Sequence, residues 1–112
     1  MELLEELMAK SEELSQSMKL LRKNGIKRAE AECAYKKKLT EEILKLKAEK
    51  FPATLIAQMV YGVPEVAQVR LERDIAQVMY DANQEHINVK KLQIRILESQ
   101  IDREWHSGGK NG

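Results

Sequence analysis

Residues 64–105 read PEVAQVRLERDIAQVMYDANQEHINVKKLQIRILESQIDREW, and the spacing of their apolar side chains decides the fold. Leu71, Ile75, Val78, Ala82, Val89, Leu92 and Ile96 form one stripe; Ile87, Ile94, Leu97, Ile101 and Trp105 form a second. Steps of three and four residues are the signature of a helix. At about 100° per residue, Ile94 lies about 200° round from Leu92. The stretch therefore predicts a helix whose C-terminal half is apolar on two opposed faces. One face can pack on another helix of the same chain. The other would leave a large apolar strip in water unless something covered it. A second copy is the simplest cover, so a homo-oligomer is predicted, with Ile87, Ile94, Leu97, Ile101 and Trp105 assigned to the subunit interface.

Upstream, Tyr61-Gly62-Val63 breaks the helical pattern and Pro64 suits a first helical turn. Pro52 suits the start of a short helix, about 52–60, that carries Leu55, Ile56, Met59 and Val60. Before it, residues 2–50 show heptad spacing. Leu7, Leu14, Leu21 and Tyr35 share one position, and Leu4, Met18, Leu39 and Leu46 share another. Gly25, Arg28 and Glu32 interrupt the seam. Asn24-Gly25 resembles a helix C-terminus, yet the heptad phase is the same on both sides. One long helix with a weak point at Gly25 is the preferred expectation, at a propensity cost of about 1 kcal/mol relative to Ala. Phe51-Pro52 ends it, since the residue before proline is pushed out of helical geometry. The expected fold is all-α: a long helical hairpin of two long helices joined by a short helix, assembling into an oligomeric helical bundle. A single helical domain covers 1–106, with helices at about 2–50, 52–60 and 64–105, and 107–112 reads as a disordered tail.

The 112 residues suffice for one domain, with 43% apolar and 33% charged side chains and few aromatics. Net charge is +1, but its distribution is uneven. Residues 1–17 hold five glutamates and one lysine; residues 18–38 hold eight basic and two acidic side chains. The single Cys33 excludes an internal disulfide. The acidic start, Met1-Glu2-Leu3-Leu4-Glu5-Glu6, is unlike a signal peptide, and no stretch approaches membrane-spanning length. A cytoplasmic location within a host cell and no membrane partner are the expectation.

Catalytic and metal chemistry find no support in the pattern. His86 and His106 lie too far apart in sequence for a one-turn ligand pair, and no second cysteine exists. Cys33, on a helix, reads as a small buried hydrophobe. Carboxylates such as Glu12 near Gln16 read as one-turn surface pairs. No cofactor is expected. The positive signal is the basic zone, with Lys19, Arg22, Lys23, Lys27 and Arg28 in one cluster and Lys36-Lys37-Lys38 in another. Its plainer account, and the preferred one, is a solvated flank that pairs with acidic surface, including the N-terminal segment of a second copy. Its functional account is an anion site for a nucleic-acid backbone, a nucleotide or an acidic protein. Nucleic-acid grooves usually interleave aromatics, and only Tyr35 is near. Arg70 and Arg73 form a further pair able to grip phosphate between helices; one-turn pairing of Arg70 with Asp74 is the plainer account.

Several stretches resemble a group of small, helical, mostly uncharacterised proteins of phages and prophages of Gram-positive bacteria. They are Leu21-Arg22-Lys23-Asn24-Gly25-Ile26, Ala29-Glu30-Ala31-Glu32 with Tyr35, and Phe51-Pro52-Ala53-Thr54-Leu55-Ile56. Further ones are Arg70-Leu71-Glu72-Arg73-Asp74-Ile75-Ala76, Ile87-Asn88-Val89-Lys90-Lys91-Leu92 and Ser99-Gln100-Ile101-Asp102-Arg103-Glu104-Trp105. The resemblance spans about residues 20–105 and carries over no site residues. It implies a non-enzymatic early-region product that acts by binding. Three functions follow in order: counter-defence, by inhibiting a host immunity protein or sequestering its nucleotide signal; a DNA replication or recombination accessory that binds DNA or its machinery through residues 19–38; and a structural coiled-coil adaptor.

Overall fold

A computed structural model describes residues 2–110. The chain is an all-α hairpin: α1 (Glu2–Ala48) and α3 (Pro64–Lys110) are joined by a short helix, α2 (Ala53–Met59), and a 3-10 turn at Val60–Gly62. Helix α1 runs unbroken through Gly25, as the conserved heptad phase predicts. Glutamates at Glu2 and Glu5 open it and lysines at Lys45 and Lys47 close it, each matching the helix dipole.

The end of α1 is built differently from the expectation. Lys50 adopts φ 67, and the Phe51 N–H donates to the Leu46 carbonyl at 3.2 Å while the Lys50 N–H donates to that of Lys47 at 2.9 Å. This is a left-handed cap with the apolar contact that usually accompanies it, Phe51 and Leu46 joining one cluster. Pro52 follows as the N-cap of α2, its carbonyl accepting from Leu55 and Ile56 at 3.0 Å each. At the other end α3 continues past Trp105, so Ser107 to Lys110 is helical where a tail was expected. No proline intervenes to stop the helix there. Asn111 and Gly112 lie outside the described residues.

The chain divides into two compact units. The unit of residues 23–80 contains the turn and an apolar core of Tyr35, Leu46, Ile56, Val60 and Val66, backed by Leu39, Ile43, Phe51, Val63 and Val69. Val60 and Val66 are fully buried. Gly25 lies beside the Tyr80 ring, where an added Cβ would make an ordinary van der Waals contact at 3.4 Å.

The unit of residues 1–22 and 81–112 pairs the first half of α1 with the second half of α3. Ile87 and Leu97 are buried there, and so are the polar Ser17 and Asn83. Leu3, Leu7, Leu14, Leu21, Ile94 and Ile101 are half-buried. The Asn83 side-chain amide donates to the Ser17 carbonyl at 3.1 Å. Lys90 pairs with Glu13 at 2.6 Å. That lysine ammonium donates a hydrogen bond that holds the Glu13 carboxyl below the usual glutamate range, and the same bond lifts Lys90.

The α1 seam and the inner face of α3 both differ from the expectation. Leu7, Leu14, Leu21 and Tyr35 do face inward, but Leu4 and Met18 are exposed. Their places are taken one residue earlier by Leu3, Lys10, Ser17 and Asn24, all half-buried or buried. A one-residue step turns the side chain by about 100°, and along this line the Asn83 amide meets the Ser17 backbone carbonyl. Beyond Tyr35 the inward line steps by four residues to Leu39, then continues through Glu42 to Leu46, a stutter in the heptad.

In α3, Ile87, Ile94, Leu97 and Ile101 form the inner face, not an outer one, and so are spent on packing within the chain; Trp105 alone of that stripe is well exposed, at 77%. The stripe expected to pack inward is the exposed one, with Val89, Leu92 and Ile96 in one unit and Leu71, Ile75 and Val78 in the other.

Candidate functional site

The basic cluster on α1 is built by helix spacing. Lys19, Lys23 and Lys27 follow one another at intervals of four, with Arg22 beside them, and Arg28 points to another side. All five are exposed. In the first unit, Lys19 and Arg22 flank an open groove floored by Ser11, Leu14, Ser15 and Met18. In the second, Lys27 borders a small apolar hollow of about 270 Å³ with Ile75, Ala76 and Met79, shared with Glu72. Among the described residues no carboxylate pairs with Lys19, Arg22, Lys23 or Lys27, although ion pairs form elsewhere on α1 at Lys10, Lys36, Lys38 and Lys45.

Arg28 behaves differently. Its guanidinium lies 4.4 Å from the Tyr80 ring centroid, and it lines an open cleft with Ala29, Glu32, Arg73, Asp74 and Gln77. Arg73, opposite it in the sequence hairpin, stacks over Tyr35 at 4.2 Å. Two guanidiniums laid on two tyrosines fix the cleft walls by cation–π attraction. The same cleft supplies carboxylates, however. Arg73 donates through Nε at 3.1 Å and Nη2 at 2.9 Å to one Asp74 oxygen, and Glu32 lies at 3.8 Å. Its hydrogen bonds to Asp74 keep Arg73 protonated more firmly than usual. The cation is already neutralised.

The expected Arg70–Asp74 pair does not form. Arg70 lies over the Tyr61 ring at 5.2 Å, while Asp74 takes Arg73 instead. Arg70 and Arg73 therefore point to different aromatics and form no joint phosphate grip. The aromatic partners Tyr35, Tyr61 and Tyr80 were absent from the expected site; an arginine placed near a tyrosine of the facing helix was the available signal.

Cys33 is exposed, not buried. His86 is exposed as well, and His106 lies 3.3 Å from Asp102 one turn away. Glu12 and Gln16 do bond across one turn, at 2.9 Å. Among the described residues no group of three His, Cys, Asp or Glu is placed to hold a metal, and no helix is long and apolar enough to cross a membrane. No family model, curated protein or solved structure matches the chain.

Proposed function

We propose that this chain is a non-enzymatic binding protein of phage type that counters host defence by docking, through the exposed cations of α1, on an acidic surface of a host immunity protein. The observation that carries this reading is the absence of ion-pair partners, among the described residues, for Lys19, Arg22, Lys23 and Lys27. Opposite charges one turn apart on a helix attract, but no carboxylate stands one turn from Lys19, Arg22 or Lys23. These four, at the most basic part of the chain, remain available to an outside anion. Their presentation on an open helix surface favours a broad acidic partner over a nucleotide, which needs an enclosed pocket. The Arg28–Arg73 cleft is the nearest thing to such a pocket, and Glu32 and Asp74 oppose a phosphate there.

The test is a variant with Lys19, Arg22, Lys23 and Lys27 all changed to Glu, compared with the parent for helicity and for rescue of phage plating on defence-carrying hosts. Retained helicity with lost rescue is the expected result. Full rescue by the variant defeats the reading. Tight binding of duplex DNA by the parent, falling steeply with salt as counterion release requires, would replace it with the DNA-accessory reading.

A further inference from the structure

The outer stripe of α3 is not a random scatter of apolar residues. Leu71, Ile75 and Val78 are 53%, 53% and 64% exposed, and Val89, Leu92 and Ile96 are 42%, 55% and 49% exposed. Within the single helix α3 these positions alternate steps of four and three. Ile75, Ala82, Val89 and Ile96 fill one heptad position; Leu71, Val78, Glu85 and Leu92 fill the other. Apolar residues fill both core positions except at Glu85, which makes a coiled-coil seam. The inner face of α3 follows the same seven-residue period through Ile87, Ile94 and Ile101, so both faces favour the same left-handed supercoil.

We infer that a second copy of this chain covers this stripe, its α3 lying antiparallel to the first, with the two-fold axis crossing the helix between positions 83 and 84. Two features of the stripe specify this occupant and this direction. The stripe is self-complementary when reversed. Leu71 then lies opposite Ile96 of the second copy, Ile75 opposite Leu92, Val78 opposite Val89 and Ala82 opposite Glu85. Large residues meet large ones, and the one carboxylate meets a methyl group, past which it reaches water. An isologous two-fold interface requires this self-complementarity. A parallel pairing instead sets Glu85 against its own copy in the core.

The second feature is charge. Asp74 and Arg95 occupy equivalent flanking positions, each just before a core isoleucine. In the antiparallel register they face each other twice, once on each side of the axis. In a parallel pair Asp74 faces Met79 and Arg95 faces Gln100. Asp74 is already bonded to Arg73 but keeps 58% of its side chain exposed, and Arg95 is exposed. The inference rests on the apolar stripe and its flanks, and it is independent of the acidic-partner reading above.

Disulfide trapping tests it, in full-length protein carrying Cys33→Ser. Val78→Cys and Val89→Cys chains are oxidised separately and mixed. The expected result is a cross-linked dimer in the mixture and none in either variant alone. Like positions would be separated by about 16 Å along the helix, beyond disulfide reach. Cross-linking within either variant alone shows a parallel pair and overturns the inference. So does a monomeric mass by native mass spectrometry, or a dimer in which the mixed pair fails to cross-link. These outcomes leave the plating assay untouched, so the two readings fail separately. As a second arm, Asp74→Arg and Arg95→Asp each weaken dimerisation on the order of tenfold, and combining them in one chain restores it. A double variant as weak as the singles overturns the register.

Discussion

The core around the turn and the seam between the other helix halves differ in their share of apolar burial: each unit buries two polar side chains, Asn24 and Glu42 in one and Ser17 and Asn83 in the other, but the apolar cluster lies at the turn. In the unit of residues 23–80, five apolar side chains, Tyr35, Leu46, Ile56, Val60 and Val66, make a continuous core. In the unit of residues 1–22 and 81–112, Ser17 and Asn83 are buried as deeply as Ile87 and Leu97, and Lys90 reaches Glu13 along the seam. Apolar burial is non-directional and contributes most of the stability. Polar groups inside a helix pair cost desolvation, but a side-chain pair such as Glu13 with Lys90 is met in few alignments and so favours one register. The turn end is therefore read as the source of stability, and the distal seam as the device that sets which residues of α1 meet α3.

The largest effect expected from breaking this contrast is at the turn. Ile56→Ala removes a buried side chain from the apolar core and is expected to cost about 2–5 kcal/mol in urea unfolding followed by circular dichroism. A loss within experimental error would show that the turn core is not the stabilising centre.

A smaller, more informative effect is expected at the polar seam. Asn83→Ala removes the amide that the Ser17 backbone carbonyl accepts in addition to its own helix donor and should cost about 0.5–1.5 kcal/mol. Asn83→Leu should cost less or even stabilise, since an apolar side chain fills the buried site that alanine leaves empty, yet it should loosen the alignment of the two helices. Amide exchange near Ser17 reports that loosening. If the leucine variant is both more stable and equally protected there, the polar pair does not set register.

The smallest expected effect is electrostatic. The hydrogen bond from Lys90 depresses the Glu13 carboxyl, so the contribution of this pair is complete above the ordinary glutamate value of about 4.3 and fades as pH falls through the lowered one. Glu13 in turn raises Lys90, so the alkaline limit lies above the ordinary lysine value of about 10.4. Between about 4.3 and about 10.4 Glu13→Gln should be less stable than the parent by a constant margin, and the margin should close in acid. Matched urea titrations at neutral and acidic pH check this; a margin that does not change with pH would assign the contact to packing alone.

Local rules carried the element boundaries. Heptad phase across Gly25 was enough to predict a continuous α1, and Phe51-Pro52 and Tyr61-Gly62-Val63 ahead of Pro64 marked the breaks, because capping and proline sterics act within a few residues. The cap itself escaped notice: Lys50 adopts a backbone conformation that sequence rules reserve mostly for glycine, and the apolar contact between Phe51 and Leu46 accompanies it. The exposed cations at Lys19, Arg22, Lys23 and Lys27 were legible as a cluster, whereas the division of Arg28, Arg70 and Arg73 among three tyrosines was not. That division depends on which residues of α1 and α3 come opposite each other.

By itself, the sequence determined that α3 carries two apolar stripes on opposed faces, since helical geometry converts spacing directly into direction. It did not determine which stripe faces inward. Both are built from the same residue types, and their hydrophobicity is nearly interchangeable. The tertiary structure decided the matter through contacts between positions far apart in the chain, Ser17 with Asn83 and Glu13 with Lys90. With Asn83 and Lys90 facing α1, Ile87 and Leu97 turn inward and Val89 and Leu92 are left in water, because a polar group that is to be buried must meet a partner and these two side chains share the inner face of α3.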